Sequence, residues 1–144
     1  MIKRKIGIVA KKLNHSLSPI IHNYWSKKYK KNFVYNKYEV NEKNIRKFFN
    51  NYKSDKRFIG FNVTIPYKED FFNLCDKISL RAKKIGSINL VYKKRNLIFG
   101  DNTDVIGFEK IYNSLKVEKT KSVLVIGAGG AARAILYFLN KKNI

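Results

Sequence analysis

The chain alternates between two apolar periods. Residues 4–10 (RKIGIVA) are a short apolar run and predict a buried strand. Ser18-Pro19 reads as a cap followed by the first helical residue, and Ile20, Tyr24 and Ile21, Trp25 recur at helical spacing, which predicts an amphipathic helix over 19–30. Residues 33–40 (FVYNKYEV) alternate as a strand does. Asn41 is placed to cap a helix reaching about Tyr52, with Ile45, Phe48 and Phe49 on one face. Residues 57–65 (RFIGFNVTI) predict a third strand, Pro66 a helix carrying Phe71, Phe72 and Leu74, and 78–85 a shorter helix. Residues 87–93 and 96–100 predict a hairpin across Lys94-Arg95, followed by a helix from Asp104 to Leu115. Residues 122–127 (SVLVIG) predict a strand and 130–142 a helix. Strands and helices in alternation imply an α/β fold with a mainly parallel open sheet. The polar stretch 116–121 (KVEKTK) is the expected boundary between a domain at 1–116 and one βα unit at 117–144.

Composition narrows the class. Hydrophobic residues at 44% and aromatics at 14% argue against disorder. No apolar run approaches membrane-helix length, and the run after Arg4-Lys5 is too short for a secretory signal. With Cys75 as the single cysteine, an internal disulfide is excluded, no metal site is expected, and the cytoplasm is the default compartment. The net charge of +21 invites a nucleic-acid reading. The charge is mostly Lys and spread along the whole chain, whereas the better base reader, Arg, is scarce. No specific nucleic-acid partner and no membrane are therefore expected.

Ligands of open α/β sheets bind beyond the carboxyl ends of the strands. Ser16 and Ser18 follow the first strand, Asn62, Thr64 and Lys68 surround the end of the third, Asn89 opens the hairpin, and Asp101 to Asp104 follow it. Small hydroxyls, amides, a lysine and aspartates suit a small, hydroxyl-rich, anionic ligand. Lys68, Asp104, Asp101 and the two histidines are the acid–base candidates. Each has a plain alternative. The serines and Asp104 are also cap residues, Thr64 is an ordinary strand residue, and Lys68 is an ordinary surface lysine. His15 and His22 read as polar packing groups, and Cys75 as a small apolar one. The segment Gly127-Ala128-Gly129-Gly130-Ala131-Ala132 is more specific, because it fits G-x-G-x-x-A between an apolar strand and a helix. That context suits a dinucleotide pyrophosphate at a helix N-terminus.

Together, NHSLSPIIHN (14–23), GFNVTIPYKE (60–69), KIGSINLV (84–91), GDNTDVIGF (100–108) and VLVIGAGGAARA (123–134) resemble the shikimate dehydrogenase family, in the family's order. The resemblance implies a substrate-binding domain followed by the first βα unit of a Rossmann domain. It implies NADP-dependent interconversion of 3-dehydroshikimate and shikimate. Ser16 and Ser18 would hold the substrate carboxylate. Thr64, Asn89 and Asp104, supported by Asn62, would hold the ring hydroxyls. Lys68 would be the catalytic acid–base, oriented by Asp104. Gly127, Ala128, Gly129, Gly130 and Ala131 would cradle the cofactor. Leu90 stands where relatives often have threonine. A homodimer is a further expectation. Since a dinucleotide fold needs two βαβαβ halves, the chain is expected to be a truncated form, inactive by itself. A quinate/shikimate dehydrogenase and a non-catalytic shikimate-binding module are the alternatives.

Overall fold

In the computed structural model, residues 3–115 and 122–144 are described. One six-stranded sheet runs in the order β2-β1-β3-β5-β6-β4. Its strands are β1 (Arg4–Ala10), β2 (Phe33–Glu39), β3 (Phe58–Val63), β4 (Lys77–Ile78), β5 (Leu90–Lys94) and β6 (Leu97–Asp101). β1 pairs parallel with β2 and β3, and β4 parallel with β6, while β5 runs antiparallel to β3 and β6. The sheet is thus mixed, with parallel pairs in the majority.

The core is aromatic. Phe61 and Val63 of β3 share one face of the sheet, and α2 (Ile45–Ser54) covers it with Ile45, Phe49 and Tyr52. Tyr52 and Phe61 meet edge to face at 4.8 Å, and Phe61 meets Phe71 at 5.2 Å. Such contacts add to the area that these rings bury. Cys75 is partly buried beside this cluster, and burial, with Asp76 nearby, pushes its thiol up to about 12.

Helix α1 (Ser18–Lys28) departs from its predicted orientation. Its apolar stripe faces outward, Ile20 being 69% exposed and Trp25 45%. The helix is instead tied down through polar groups. Asn23 exchanges two hydrogen bonds of 2.9 Å with the backbone of Tyr35, and the Ser26 hydroxyl donates to the carbonyl of Phe33. An amide side chain reproduces the donor–acceptor pair that a neighbouring strand would offer the outer edge of β2. Nor does Ser18 cap the helix; Leu17 holds that position without a side-chain bond. Asn41 likewise makes no side-chain cap bond, and a 3-10 turn (Glu42–Asn44) precedes α2.

Three further expectations are corrected. No helix follows Pro66: residues 65–71 are successive turns, the Ile65–Pro66 peptide is cis, and only Phe72–Leu74 is 3-10 helical. The reason is tertiary. The Lys68 carbonyl is directed at the Ile88 N–H, a partner twenty residues on, and the Phe72 N–H bonds Glu69 three residues back. The hairpin turns at Arg95 and Asn96, both at positive φ, one residue later than expected. This matches the mirror-image turn that suits strand twist. The two-residue β4 was not predicted; α3 (Leu80–Ile85) follows it, capped by the Ser79 hydroxyl, which accepts from the Ala82 N–H.

The last segment differs most. Residues 122–127 pair with no strand among the described residues, and Leu124 is 85% exposed. Without a neighbour's backbone groups, an apolar run has no ladder to join. A lone βα unit is expected to bare Ile135, Leu136 and Leu139 of α5 (Gly130–Lys141); Leu136 is indeed 50% exposed, but Ile135 and Leu139 are covered. The helix packs on α3 and on α4 (Asp104–Ser114), burying Leu139 to 4% exposure with Ile85, Val105 and Phe138. The expected boundary at 116–121 lies outside the described residues.

Candidate active site

Sheet register assembles the site. Asn62, Leu90 and Asp101 are direct cross-strand partners on β3, β5 and β6. The residues just beyond them, Thr64, Asn89 and Asn102, therefore converge at one end of the sheet. The ladder continues outward there, the Val63 N–H reaching the Asn89 carbonyl at 2.9 Å and the Asn89 N–H the Asp101 carbonyl at 3.0 Å.

Asp104 opens α4 and stands at the centre. Its Oδ2 lies 2.6 Å from the Lys68 ammonium, and its Oδ1 accepts from Asn89 Nδ2 at 2.6 Å. Asn89 is fixed in turn, because its Oδ1 accepts from both the backbone N–H and the hydroxyl of Thr103. Lys68 is largely covered, at 14% side-chain exposure. A partly desolvated ion pair of this kind is stronger and more precisely oriented than one in water.

The polar chain extends the other way. Asn62 Nδ2 donates to the Asn89 carbonyl at 3.3 Å, and Asn62 Oδ1 accepts from the Tyr35 hydroxyl at 2.8 Å. Burial pushes the Tyr35 phenol up to about 12, and the nearby Ser18 side chain works the other way. Tyr35, Asn62, Asn89, Asp104 and Lys68 thus form one connected chain, with Ser18 near its Tyr35 end; Tyr35 is the member that sequence reading missed. Tyr35 stood in an alternating strand, and nothing in that alternation marked its hydroxyl as a bridge. Ser16, in the β1–α1 loop, and Thr64, just past β3, are half-buried. Each is held by its backbone, Ser16 N–H to the Leu13 carbonyl and Thr64 N–H to the Val9 carbonyl.

Asp101 is withdrawn from the acid–base candidates. It is buried under the Arg81 guanidinium, which bonds both carboxylate oxygens, and the Ser79 hydroxyl donates to it at 2.5 Å. Burial alone would raise its carboxyl, but Arg81, Ser79 and the Asn102 N–H together hold it below the ordinary value. Asn102, which is 0% exposed, carries this anchoring to the site. Its Nδ2 donates to the Ser87 carbonyl at 3.0 Å and its Oδ1 accepts from the Asp104 N–H at 3.0 Å. His22 stacks on Tyr35 with ring centroids 4.3 Å apart, and burial lowers its pKa, as suits a packing residue.

The glycine segment lies at the start of α5. Gly127 has φ of 118°, a conformation that favours glycine, and a Cβ at Gly127 or Gly129 would meet nothing within 4 Å. The first internal bond of α5 runs from the Arg133 N–H to the Gly129 carbonyl. The preceding amides lack a helical partner and are available to an anion.

Residues 8–91 match the family described as the shikimate dehydrogenase substrate binding domain. The chain belongs to that family. It is 42% identical over 134 residues to the shikimate dehydrogenase (NADP(+)) of Clostridium beijerinckii, covering 92% of this chain and 49% of that protein. The counterpart from Aquifex aeolicus is 42% identical over 138 residues, covering 95% and 51%. The crystal structure of Aquifex aeolicus shikimate dehydrogenase superposes with a TM-score of 0.90 at 40% identity, over 97% of this chain and 53% of that one. That of the Thermus thermophilus enzyme in complex with shikimate gives 0.89 at 27% identity, over 98% and 54%. The chain spans about half the length of the relatives it matches.

Proposed function

We propose that this chain binds shikimate at the Lys68–Asp104–Asn89 cluster and serves NADP-dependent interconversion of 3-dehydroshikimate and shikimate. The observation that carries this reading is Asp104, engaged by Lys68 on one oxygen and Asn89 on the other. Each carboxylate oxygen retains a lone pair for a substrate hydroxyl. Thr64, Asn62 and Asn89 supply further polar contacts around the ring, and Ser16 with Ser18 take the carboxylate. Relatives are named as NADP(+) enzymes, and one solved relative is in complex with shikimate.

Reduction of the ketone leaves charge on its oxygen, and the Lys68 ammonium donates the proton that neutralises it. In the reverse direction the Lys68 amine accepts that proton. Asp104 holds the lysine in place. NADP supplies the hydride chemistry when bound. The open turn at Gly127–Gly129, with Ala128, Gly130 and Ala131, fits its pyrophosphate. Residues 1–116 constitute the substrate domain in this reading and 117–144 the start of the cofactor domain. A cytoplasmic homodimer belongs to the same reading, and sedimentation tests the pairing.

Calorimetric titration of shikimate into the 144-residue chain is the test, with NADP reduction followed on the same preparation. Saturable binding that falls at least tenfold in Asp104→Ala is expected. Absence of binding overturns the reading. In an enzyme that turns over, Lys68→Ala should lower kcat by about 10²–10⁴ with a far smaller change in KM. A change confined to KM would make Lys68 a binding group only.

A further inference from the structure

The pattern G-x-G-x-x-A fixes small residues at 127, 129 and 132 and leaves 130 free. A glycine stands there nonetheless. A Cβ on Gly130 would lie 2.3 Å from Ser87 Oγ, 3.1 Å from Ser87 Cβ and 3.3 Å from Lys68 Cδ. Ser87 is 0% exposed, and its hydroxyl has no hydrogen-bond partner in the structure. One turn along α5, Arg133 donates to Glu69 Oε1 at 2.5 Å and to the Gly86 carbonyl at 3.3 Å. The start of α5 is therefore seated on two segments, 68–69 and 86–87, which are themselves joined by the Ile88 N–H to the Lys68 carbonyl. The ion pair is largely exposed and contributes little by itself. The close approach at Gly130 is the firmer contact.

We infer that Gly130 is a positioning residue for Lys68. Asp104 fixes the ammonium end of the lysine, and the bare Cα of Gly130 confines its stem. Lysine has a long flexible stem, so an anchored head alone leaves several rotamers open. The same helix presents the open glycine turn, so the proton-carrying group and the phosphate cradle share one register. This inference rests on the assignment of Lys68 as the proton carrier.

The test uses Gly130→Ala, Ser87→Ala and the double variant of the 144-residue chain. The added methyl cannot coexist with Ser87 Oγ; deleting that oxygen leaves a contact that a small shift relieves. The readout is the Lys68 ammonium resonance in nitrogen-edited NMR, assigned by its loss in Lys68→Ala, with thermal unfolding in parallel. Gly130→Ala should abolish or broaden the resonance while remaining folded. Ser87→Ala should leave it in place. The double variant should restore it at a displaced position, because the methyl still presses Lys68 Cδ. Shikimate affinity should fall at least fivefold in the single variant and recover in the double. An unchanged resonance in folded Gly130→Ala, or a double variant as perturbed as the single, overturns the inference. If Gly130→Ala does not fold, the double compared with Ser87→Ala decides: a displaced resonance supports the inference, and an identical one, or an unfolded double, overturns it. Shikimate failing to bind the unaltered chain would remove the functional reading, whereas the resonance still decides the Gly130 contact.

Discussion

Replacing Asn102 by alanine should damage the site through residues that alanine never touches. Asn102 is fully buried and makes two bonds of 3.0 Å, to the Ser87 carbonyl and from the Asp104 N–H. Losing a neutral hydrogen bond costs about 1 kcal/mol net, but leaving a buried partner unsatisfied costs about 1–3 kcal/mol. The Ser87 carbonyl is enclosed and bears that cost in full. Asp104 is half-buried, so water recovers part of the loss at its N–H. The sum is about 3 kcal/mol, within the roughly 5–15 kcal/mol available to a domain, so the variant should still fold. With a urea slope of about 2 kcal/mol/M, the unfolding midpoint should drop by about 1.5 M at unchanged slope. Asn102→Asp isolates the donor: its carboxylate can still accept from Asp104 but cannot donate to Ser87, and its charge is buried. It should be at least as unstable at neutral pH and recover as the pH falls. A loss below about 1 kcal/mol in Asn102→Ala would refute the claim that these two bonds hold the start of α4.

Two other expectations follow from groups away from the site. Lys5, with the Arg57 N–H, holds the Asp55 carboxyl at about 2 against an ordinary 3.8. The folded value lies below the unfolded one, so this stabilisation is present above about 4 and disappears as pH falls towards 2; Asp55→Asn should lose less than about 1 kcal/mol at pH 7, and a stability difference that persists at pH 2 would contradict the assignment. With its thiol near 12, Cys75 should carry about one thiolate in 10⁴ at pH 8 and resist alkylation until denaturant is added; native modification at the rate of an exposed thiol would show that the core is open there.

The sequence announced those parts whose cause is local. β1 and β3 are apolar runs, α4 begins at an aspartate, and the G-x-G-x-x-A turn announces itself by glycine. The polar residues after strand ends were legible because open sheets place ligands there. What failed had a distant cause. Pro66 promised a helix, but the Lys68 carbonyl is directed across the fold at Ile88 and not along the chain. The helical spacing in α1 was real, yet periodicity does not say which face is buried, and Asn23 and Ser26 decided it. Residues 122–127 have a strand's composition without a strand's neighbour among the described residues. Tyr35 escaped notice, and Asn102 was read only as one of the polar residues 101–104, because each bridges to a partner distant in sequence, Asn62 for Tyr35 and Ser87 for Asn102.

The row formed by Asn62, Leu90 and Asp101 bears on kinetics as well as geometry. Its members come from three strands, and no single hairpin or helix contains them. The β5–β6 hairpin can bring Asn89 and Asp104 together locally, but joining them to Asn62 and Lys68 needs contacts distant in sequence, and closing such separations comes late. Binding competence and global folding should appear together, in one phase. A ligand held there recognises only the finished molecule, so it should slow amide exchange in the central strands and not merely around itself. For a chain this basic, a small anionic ligand would act during biogenesis as a selector of correctly zipped sheets.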